Sequence, residues 1–386
     1  MKRIYSIDFM RGLVMIIMTL DHVRDLMHTT AISQSPTDLS TTTPALFFTR
    51  WITHLCAPAF VFLSGVSAFI SMHDKKDSKS TRKFLLTRGL WLLVMEFTLV
   101  NFGIWFDIHF NVFMFEVIAA IGFGFIVLSF LLNIKPQTIG IIGLAIIFLH
   151  NLAPLVPAAE TSLFKKISMP FFAPAAFPLG NDRLFIVGYP PIPWLGILLA
   201  GFATGKFFFL EGPKRKSLFA KIGLAAIALF IVTRMPNIYG DTSAWSQQKN
   251  TLYTLMSFIN VTKYPPSLDF ILLFLGFMFL IISAAEGVKN KFTDIAGVYG
   301  KTPLFYFILH WYVIHPLMFV IAFLQGFKSS DLVFGTNLGR PKAGSGVELG
   351  LIYLIWISVI ILFYPLCKWY GNYKIKHKEK KWLRYL

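Results

Sequence analysis

The chain has 386 residues, of which 55% are hydrophobic and only 14% are charged. A soluble domain carries about 25% charged residues, so this composition, with a mean hydropathy of +0.64 and recurrent long apolar runs, excludes a soluble globular protein. The formal net charge of +17 does not indicate nucleic-acid binding, because the Lys and Arg residues lie mostly in short segments between the apolar runs. We predict an all-α, polytopic integral membrane protein.

Ten apolar segments approach or exceed the length of about 20 residues that a membrane-spanning helix needs. The predicted transmembrane helices, about ten in number, have these bounds: Asp8–His28, Ala45–Met72, Phe84–Trp105, Asn111–Leu132, Thr138–Leu155, Pro190–Phe209, Ser217–Thr233, Leu268–Ala285, Thr302–Leu324 and Gly350–Tyr370. Thr251–Thr262 is too short to span, and we predict an interfacial or re-entrant helix there. A single membrane domain accounts for residues 1–386.

The basic residues favour one side of this topology. With the N-terminus in the cytoplasm, the inner segments contain Lys2, Arg3, Lys75, Lys76, Lys79, Arg82, Lys83, Lys135, Lys206, Lys214, Arg215, Lys216, Lys289, Lys291, Lys301 and the basic C-terminal tail. The first outer loop, TTAISQSPTDLSTTT, has no Lys or Arg, although Arg50 at the outer end of the second span is an exception. This positive-inside pattern predicts an inner (plasma) membrane protein with both termini in the cytoplasm. Three long outer loops, Val156–Tyr189, Met235–Ser267 and Gln325–Glu348, could roof a cavity.

The first span carries a stripe of ionisable residues. A helix turns 100° per residue, so Arg11 and His22 lie about 20° apart around the helix and about 16 Å apart along it. Asp8 and Asp25 fall on the same broad face, whereas Asp21 points further round. Charges at this depth cost several kcal/mol unless they face protein or water. The first helix is therefore predicted to line a polar cavity.

Two interpretations of this stripe are open. A histidine near a carboxylate can act as a general base, because its pKa lies near neutrality and the carboxylate can orient it. His22 is then the candidate catalytic residue, with Asp25 or Asp21 as its orienting acid, and Arg11 could hold a phosphate. In the structural alternative, Asp21, Arg24 and Asp25 form an ion-pair cluster at the outer interface, with His22 beside it.

Other polar residues inside apolar spans have both a functional and a structural interpretation. His54 either faces His22 across the cavity or is hydrogen-bonded at a helix end. Glu96 and Asn101 either bind substrate or anchor a buried polar network, and Glu116 is a further intramembrane carboxylate. Lys263 begins KYPPSL, whose paired prolines fix an extended entry to the eighth span; substrate binding is its functional alternative.

Several motifs carry no metal or nucleotide chemistry. His310 and His315 lie about 140° apart around one helix and cannot bind one metal from one face, although either could line the cavity. Cys56 and Cys367 give neither a disulfide framework nor a zinc spacing, so no metal site is predicted. GFATG, residues 201–205, resembles small-residue helix packing rather than a nucleotide loop.

Five stretches resemble the family of the heparan-α-glucosaminide N-acetyltransferase catalytic domain, from the N-terminus to about His315. They read SIDFMRGLVMIIMTLDHVRD, RWITHLCAPAFVFLSGVSAFI, YPPIPWLGILLAGFATG, KYPPSLDF and KTPLFYFILHWYVIH. The ten residues between Arg11 and His22 are also similar to the signature of the wider membrane acyltransferase superfamily. In the eukaryotic branch of the family, the catalytic histidine lies in the loop after the first span. That loop has no histidine beyond His28 here, so the superfamily spacing gives the role to His22.

The resemblance implies an acyltransferase that moves an acetyl group from cytoplasmic acetyl-coenzyme A to a sugar amine or hydroxyl on the outer side. Arg11 and Arg88 would hold the coenzyme A phosphates, and His22 would deprotonate the acceptor or carry the acetyl group, since direct and ping-pong transfer both fit. The candidate acceptor-binding residues are His54, Glu96, Asn101, Lys263 and His310.

The expected partners are a sugar or glycan acceptor and the lipid bilayer, without nucleic acid, and a homodimer is left open. The alternative from another class is a transporter or flippase for a small anionic or sugar-linked solute, with the polar stripe as its path. No inverted repeat and no matching pair of broken helices supports that alternative.

Overall fold

The computed structural model describes residues 4–73, 78–155, 162–342 and 344–384. Its helices are α1 Tyr5–Met27, α2 Pro44–Thr53, α3 Cys56–His73, α4 Ser78–Met95, α5 Asn101–Trp105, α6 Val117–Leu131, α7 Pro136–Leu149, α8 Leu163–Ser168, α9 Pro191–Thr204, α10 Gly212–Arg234, α11 Thr251–Ile259, α12 Leu268–Ala285, α13 Lys291–Gly300, α14 Pro303–Leu324 and α15 Leu349–Lys376. Its strands are β1 Val112–Phe115, β2 Ala175–Gly180 and β3 Arg183–Val187. The predicted basic positions Lys2, Arg3, Lys75 and Lys76 lie outside the described residues.

The helices confirm the predicted all-α, polytopic class. In the described ranges, eight helical segments are long and apolar enough to cross a membrane: Pro44–Met72, Lys79–Trp105, Pro136–Leu155, Pro191–Phe209, Gly212–Arg234, Leu268–Ala285, Pro303–Leu324 and Leu349–Lys376. They correspond to eight of the ten predicted spans. The other two predicted spans do not meet this criterion of length and apolar composition. α1 has 23 residues but carries the charged stripe, and α6 has only 15 residues.

The start of the predicted fourth span is not helical. Residues 112–115 form β1, which pairs in parallel with β3, while β2 pairs with β3 in the antiparallel sense. The resulting order is β1-β3-β2. The predicted span Asn111–Leu132 is therefore wrong in its first residues, because an apolar run that includes VFMF does not by itself distinguish a strand from a helix.

Paired glycines bring the helices of the bundle close together. The packing pairs are α1 with α13, α3 with α9, α4 with α6, α7 with α9, and α10 with α12. A Cβ atom on Gly12 would lie 1.7 Å from the Ala296 carbonyl oxygen, and one on Gly300 would lie 1.8 Å from that of Asp8. Such distances exclude any side chain, so small residues set the helix spacing. Gly201 meets Phe62 of α3 in the same way, which confirms the packing role predicted for GFATG.

The described parts of the three long loops contribute to one end of the bundle. α11, Thr251–Ile259, is a short helix within the second of these loops, at the place where we predict an interfacial or re-entrant helix. Tyr189, Lys263 and Leu338, one from each long loop, all line a single cavity. The described parts of the three loops therefore contribute to the wall of one cavity, as the sequence predicts for these loops.

Candidate active site

A basic cavity of about 340 Å³ lies near the N-terminal end of α1. Four cations line it, and they come from four different parts of the chain: Arg11, Arg88, Lys301 and Lys374. Arg11 donates from Nη2 to the carbonyl oxygen of Leu63, 3.1 Å away, and to Ser67 Oγ. Among the described residues, the lining contains no carboxylate. The lining of this cavity is therefore strongly basic, as the binding of a polyanionic ligand would require.

A second cavity of about 300 Å³, the histidine cavity, lies toward the other end of α1. Its ionisable and aromatic lining residues are Asp21, His22, Asp25, Arg50, Cys56, Phe60, Trp105, Glu116, Tyr189, Lys263, Tyr264, Phe307 and Trp311. Acids, cations and hydroxyl groups therefore surround the histidine. Such a mixture suits a polar substrate with several hydrogen-bonding groups.

Three apolar side chains lie where the two cavities meet. Phe60, Val117 and Phe307 line both of them, and we call these three residues the partition. Val117 and Phe307 are buried, whereas Phe60 is half-buried. Phe307 also packs edge-on against His22, with ring centroids 6.5 Å apart. The partition therefore lies directly beside the candidate catalytic side chain.

His22 is held by contacts from α14. Its Nδ1 lies 2.6 Å from His310 Nε2, and its ring stacks on Trp311 with centroids 4.2 Å apart and planes 20° apart. The sequence predicts Asp25 or Asp21 as the orienting group, whereas the structure places His310 there. Within the described ranges, no carboxylate hydrogen-bonds to His22. His310 is fully buried and does not line the cavity, so it contacts the histidine and not the space where an acceptor would lie.

The two aspartates belong to an ion-pair cluster. Arg24 Nη2 lies 2.7 Å from Asp21 Oδ1 and 2.6 Å from Asp25 Oδ1. Arg50 Nη1 contacts the second Asp21 oxygen and lies 4.0 Å from Asp25 Oδ2. Two acids and two guanidinium groups balance each other, which offsets the cost of burying Asp21 and Arg24, whereas 49% of the Asp25 side chain is exposed. This arrangement corresponds to the structural interpretation of the stripe, in which Asp21, Arg24 and Asp25 form an ion-pair cluster with His22 beside it.

Glu96 and Asn101 form a buried polar network away from both cavities. Asn101 Nδ2 donates to the carbonyl oxygens of Glu96 and Met114 at 2.7 and 2.9 Å, and its Oδ1 accepts from the Met114 amide at 2.6 Å. Glu96 Oε2 accepts from the Ala119 amide at the start of α6, 2.8 Å away, where a carboxylate is favoured by the helix dipole. The two side chains thus fix β1 and α6, and hence Glu116, which lines the histidine cavity.

His54 lies outside the lining of both cavities. It sits at the break between α2 and α3, and its ring packs against Phe270 and Phe274 with centroids 5.7 and 5.5 Å apart. Its Nδ1 is buried and has no hydrogen-bond partner among the described residues. The predicted position opposite His22 is therefore not observed.

Lys263 places an ammonium group in the wall of the histidine cavity. Its side chain lines the histidine cavity although only 8% of the residue is exposed. Its Nζ lies 5.0 Å from the Tyr264 ring centroid and 6.0 Å from that of Tyr189. In the part of the chain that the structure describes, it makes no hydrogen bond or ion pair. A buried ammonium group with unused donors can bind a polar or anionic group of a ligand.

Sequence reasoning gave no site role to several residues that line the cavities. Arg50 could have been recognised from the sequence, because it is an exception to the positive-inside pattern at the predicted outer end of its span. Glu116 was visible as an intramembrane carboxylate. Lys301 and Lys374 looked like topology signals alone, and no local pattern could show that they converge with Arg11 across the bundle.

The comparisons with known proteins give one result. The family model described as heparan-alpha-glucosaminide N-acetyltransferase, catalytic, matches residues 3–240, which is more than half of the chain. The match includes Arg11, His22 and Arg88 but ends before Lys263 and α14. No curated protein gave a match. The chain therefore belongs to the family of the heparan-alpha-glucosaminide N-acetyltransferase catalytic domain, a family of membrane acetyltransferases.

Proposed function

We propose that this protein transfers an acetyl group from acetyl-coenzyme A to a sugar amine or hydroxyl, with the donor and acceptor entering from opposite ends of the bundle. One observation carries the proposal: a four-cation cavity and a histidine cavity lie in series along α1 and share three lining residues. The phosphates of the donor would occupy the basic cavity. Its acetyl-pantetheine arm would pass the partition to reach His22.

The transfer proposed at His22 is balanced within the site. The C–S bond of the thioester breaks and a C–N or C–O bond forms to the acceptor. The proton lost by the acceptor passes to His22 Nε2 and then to the thiolate of coenzyme A. In the ping-pong form, His22 Nε2 attacks the thioester and coenzyme A leaves as the thiolate; the acceptor then attacks the acetyl carbon, the bond to Nε2 breaks, and the proton lost by the acceptor balances the thiolate. Both forms use the same nitrogen atom.

The distribution of basic residues supports a cytoplasmic donor and an acceptor on the outer side. The basic cavity is lined by Lys301 and Lys374, which lie in segments that the positive-inside rule assigns to the cytoplasmic side. The donor would then be cytoplasmic and the acceptor would lie on the outer side. The family assignment favours this activity over a transporter or flippase.

Removing Arg11 should weaken donor binding. A hydrogen bond to a charged group contributes about 1.5–3 kcal/mol, so we expect Arg11→Ala to raise the Kd of acetyl-coenzyme A by about tenfold or more. Titration calorimetry on the detergent-purified protein measures this change. The matched control is Arg82→Ala, on the same helix as Arg88 but outside the basic cavity, and it should keep the wild-type Kd. Absence of binding by folded wild-type protein would contradict the proposal.

Removing the Lys263 ammonium group should weaken acceptor binding while donor binding stays unchanged. We expect Lys263→Met to raise the KM for glucosamine, used as a probe acceptor, by about tenfold, because one charge-assisted hydrogen bond is lost. Steady-state kinetics at saturating acetyl-coenzyme A measure this effect. Lys249→Met, which removes an ammonium group stacked on Tyr253 outside the cavity, is the control. An unchanged KM in Lys263→Met would remove this lysine from the acceptor site.

A further inference from the structure

We propose that His310 is a positioning residue that fixes the tautomer of His22 and directs its unprotonated nitrogen toward the acceptor. The inference rests on the proposed function for its chemical consequence, but its structural part stands on geometry alone. His310 lies on α14, beyond the residues that the family model matches. It contacts His22 across 288 positions of sequence.

The backbone determines the proton positions. His310 Nδ1 lies 3.2 Å from the carbonyl oxygen of Tyr306. A carbonyl oxygen can only accept a hydrogen bond, so Nδ1 of His310 carries the proton and, in the neutral ring, Nε2 has a lone pair. The 2.6 Å contact between that Nε2 and His22 Nδ1 then requires His22 Nδ1 to be the donor. His22 Nε2 is left without a proton.

Packing holds this arrangement in place. The rings of His310 and Tyr306 lie nearly parallel, with planes 9° apart and centroids 5.8 Å apart. The Tyr306 hydroxyl is hydrogen-bonded to Thr19 Oγ1 of α1 at 2.5 Å. A 180° turn of the His22 ring would put Cδ2 in the place of Nδ1 and lose the hydrogen bond to His310, and Trp311 restricts this turn because it covers one face of the ring.

The fixed tautomer matters because base and nucleophile roles both need a lone pair on Nε2. In the opposite tautomer, Nε2 carries the proton and can neither accept one nor attack a thioester. His310 is a neutral partner, unlike the carboxylate of a Ser-His-Asp triad. It orients the ring and accepts the Nδ1 proton, and it provides no negative charge to stabilise an imidazolium ion.

Three variants test the role in activity. His310→Ala removes the acceptor of the His22 proton, and we expect kcat to fall about 10- to 100-fold while the Kd of acetyl-coenzyme A stays unchanged. In His310→Gln the side-chain oxygen can take the place of Nε2, so we expect most of kcat to return. His315→Gln is the matched control: it changes a buried histidine on the same helix that bonds to Gly103 and Leu338. Wild-type kcat in His310→Ala would overturn the proposal.

A spectroscopic measurement separates this inference from the proposed function. Histidine-labelled ¹⁵N NMR reports which ring nitrogen of His22 carries the proton, and the loss of its signal in His22→Gln identifies the resonance. We expect a protonated Nδ1 and an unprotonated Nε2 in the wild type, and a mixture of tautomers in His310→Ala. The opposite tautomer in the wild type, or an unchanged one in His310→Ala, would overturn the inference. Neither donor nor acceptor is present in this experiment, so its result holds even if the protein transfers no acetyl group.

Discussion

Replacing His22 by alanine is expected to abolish acetyl transfer without weakening donor binding. A general base contributes about 10²–10⁴-fold to a rate, and the loss is greater if the same nitrogen also carries the acetyl group. The donor phosphates would lie in the basic cavity, on the far side of the partition from His22, so the Kd of acetyl-coenzyme A should stay at the wild-type value. Transfer of radiolabelled acetyl to glucosamine, measured beside calorimetry on the same preparation, tests both parts.

The controls for His22→Ala separate a lost reaction from a lost fold. Unchanged donor binding shows that the bundle is intact, and His315→Gln shows the effect of altering a buried histidine elsewhere on α14. Incubation of the wild type with labelled donor alone then distinguishes the two routes, because only the ping-pong route leaves label on His22. Full transfer activity in His22→Ala would remove this residue from the mechanism under either route.

The largest effect on stability is expected at Gly12. A Cβ atom there would lie 1.7 Å from the Ala296 carbonyl oxygen and 2.4 Å from its carbon. Both atoms are backbone, so no rotamer change can relieve the overlap, and α1 and α13 must separate. Overpacking usually costs about 1–3 kcal/mol and occasionally more, and we place Gly12→Ala at or above the upper end. A lower midpoint of thermal unfolding in detergent measures the loss.

The control for Gly12→Ala is Gly297→Ala, on α13 itself. No heavy atom lies within 4 Å of a Cβ atom added there, although the position is buried. Alanine is favoured over glycine in a helix by about 1 kcal/mol, so this variant should match or exceed the wild type in stability. Equal midpoints for the two variants would show that α1 and α13 are not packed as closely as the structure has them.

The first helix could be predicted in detail because a single regular helix contains its whole pattern. The spacing of Arg11 and His22 follows from helix geometry alone, and the structure places one residue in each cavity. The partner of His22 could not be predicted, because His310 and its position opposite α1 depend on the packing of helices far apart in sequence. The nearby aspartates were the obvious local choice, yet Arg50 binds them from another helix.

The strand before α6 shows a different limit of sequence reasoning. Residues 112–115 are as apolar as the helix that follows, and their pairing with β3, about 70 residues later, is a tertiary contact. The structural roles of Glu96 and Asn101 have the same origin, since their partners lie on β1 and at the start of α6. A carboxylate and an amide within an apolar span indicate polar partners, but they do not reveal whether those partners belong to a substrate or to the protein backbone.

The partition also matters for the membrane in which the protein lies. Phe60, Val117 and Phe307 line both cavities, so if the donor and acceptor enter from opposite ends as proposed, these side chains would also form the barrier to protons and ions at this point. A pantetheine arm passing this point would fill the gap that it opens, so the donor itself would seal the path during turnover. Small residues here would widen the route for the donor, but they would also allow water and ions to cross and dissipate the electrochemical gradient. Under the proposed function, the bulk of these three side chains would therefore serve the membrane barrier as well as the reaction.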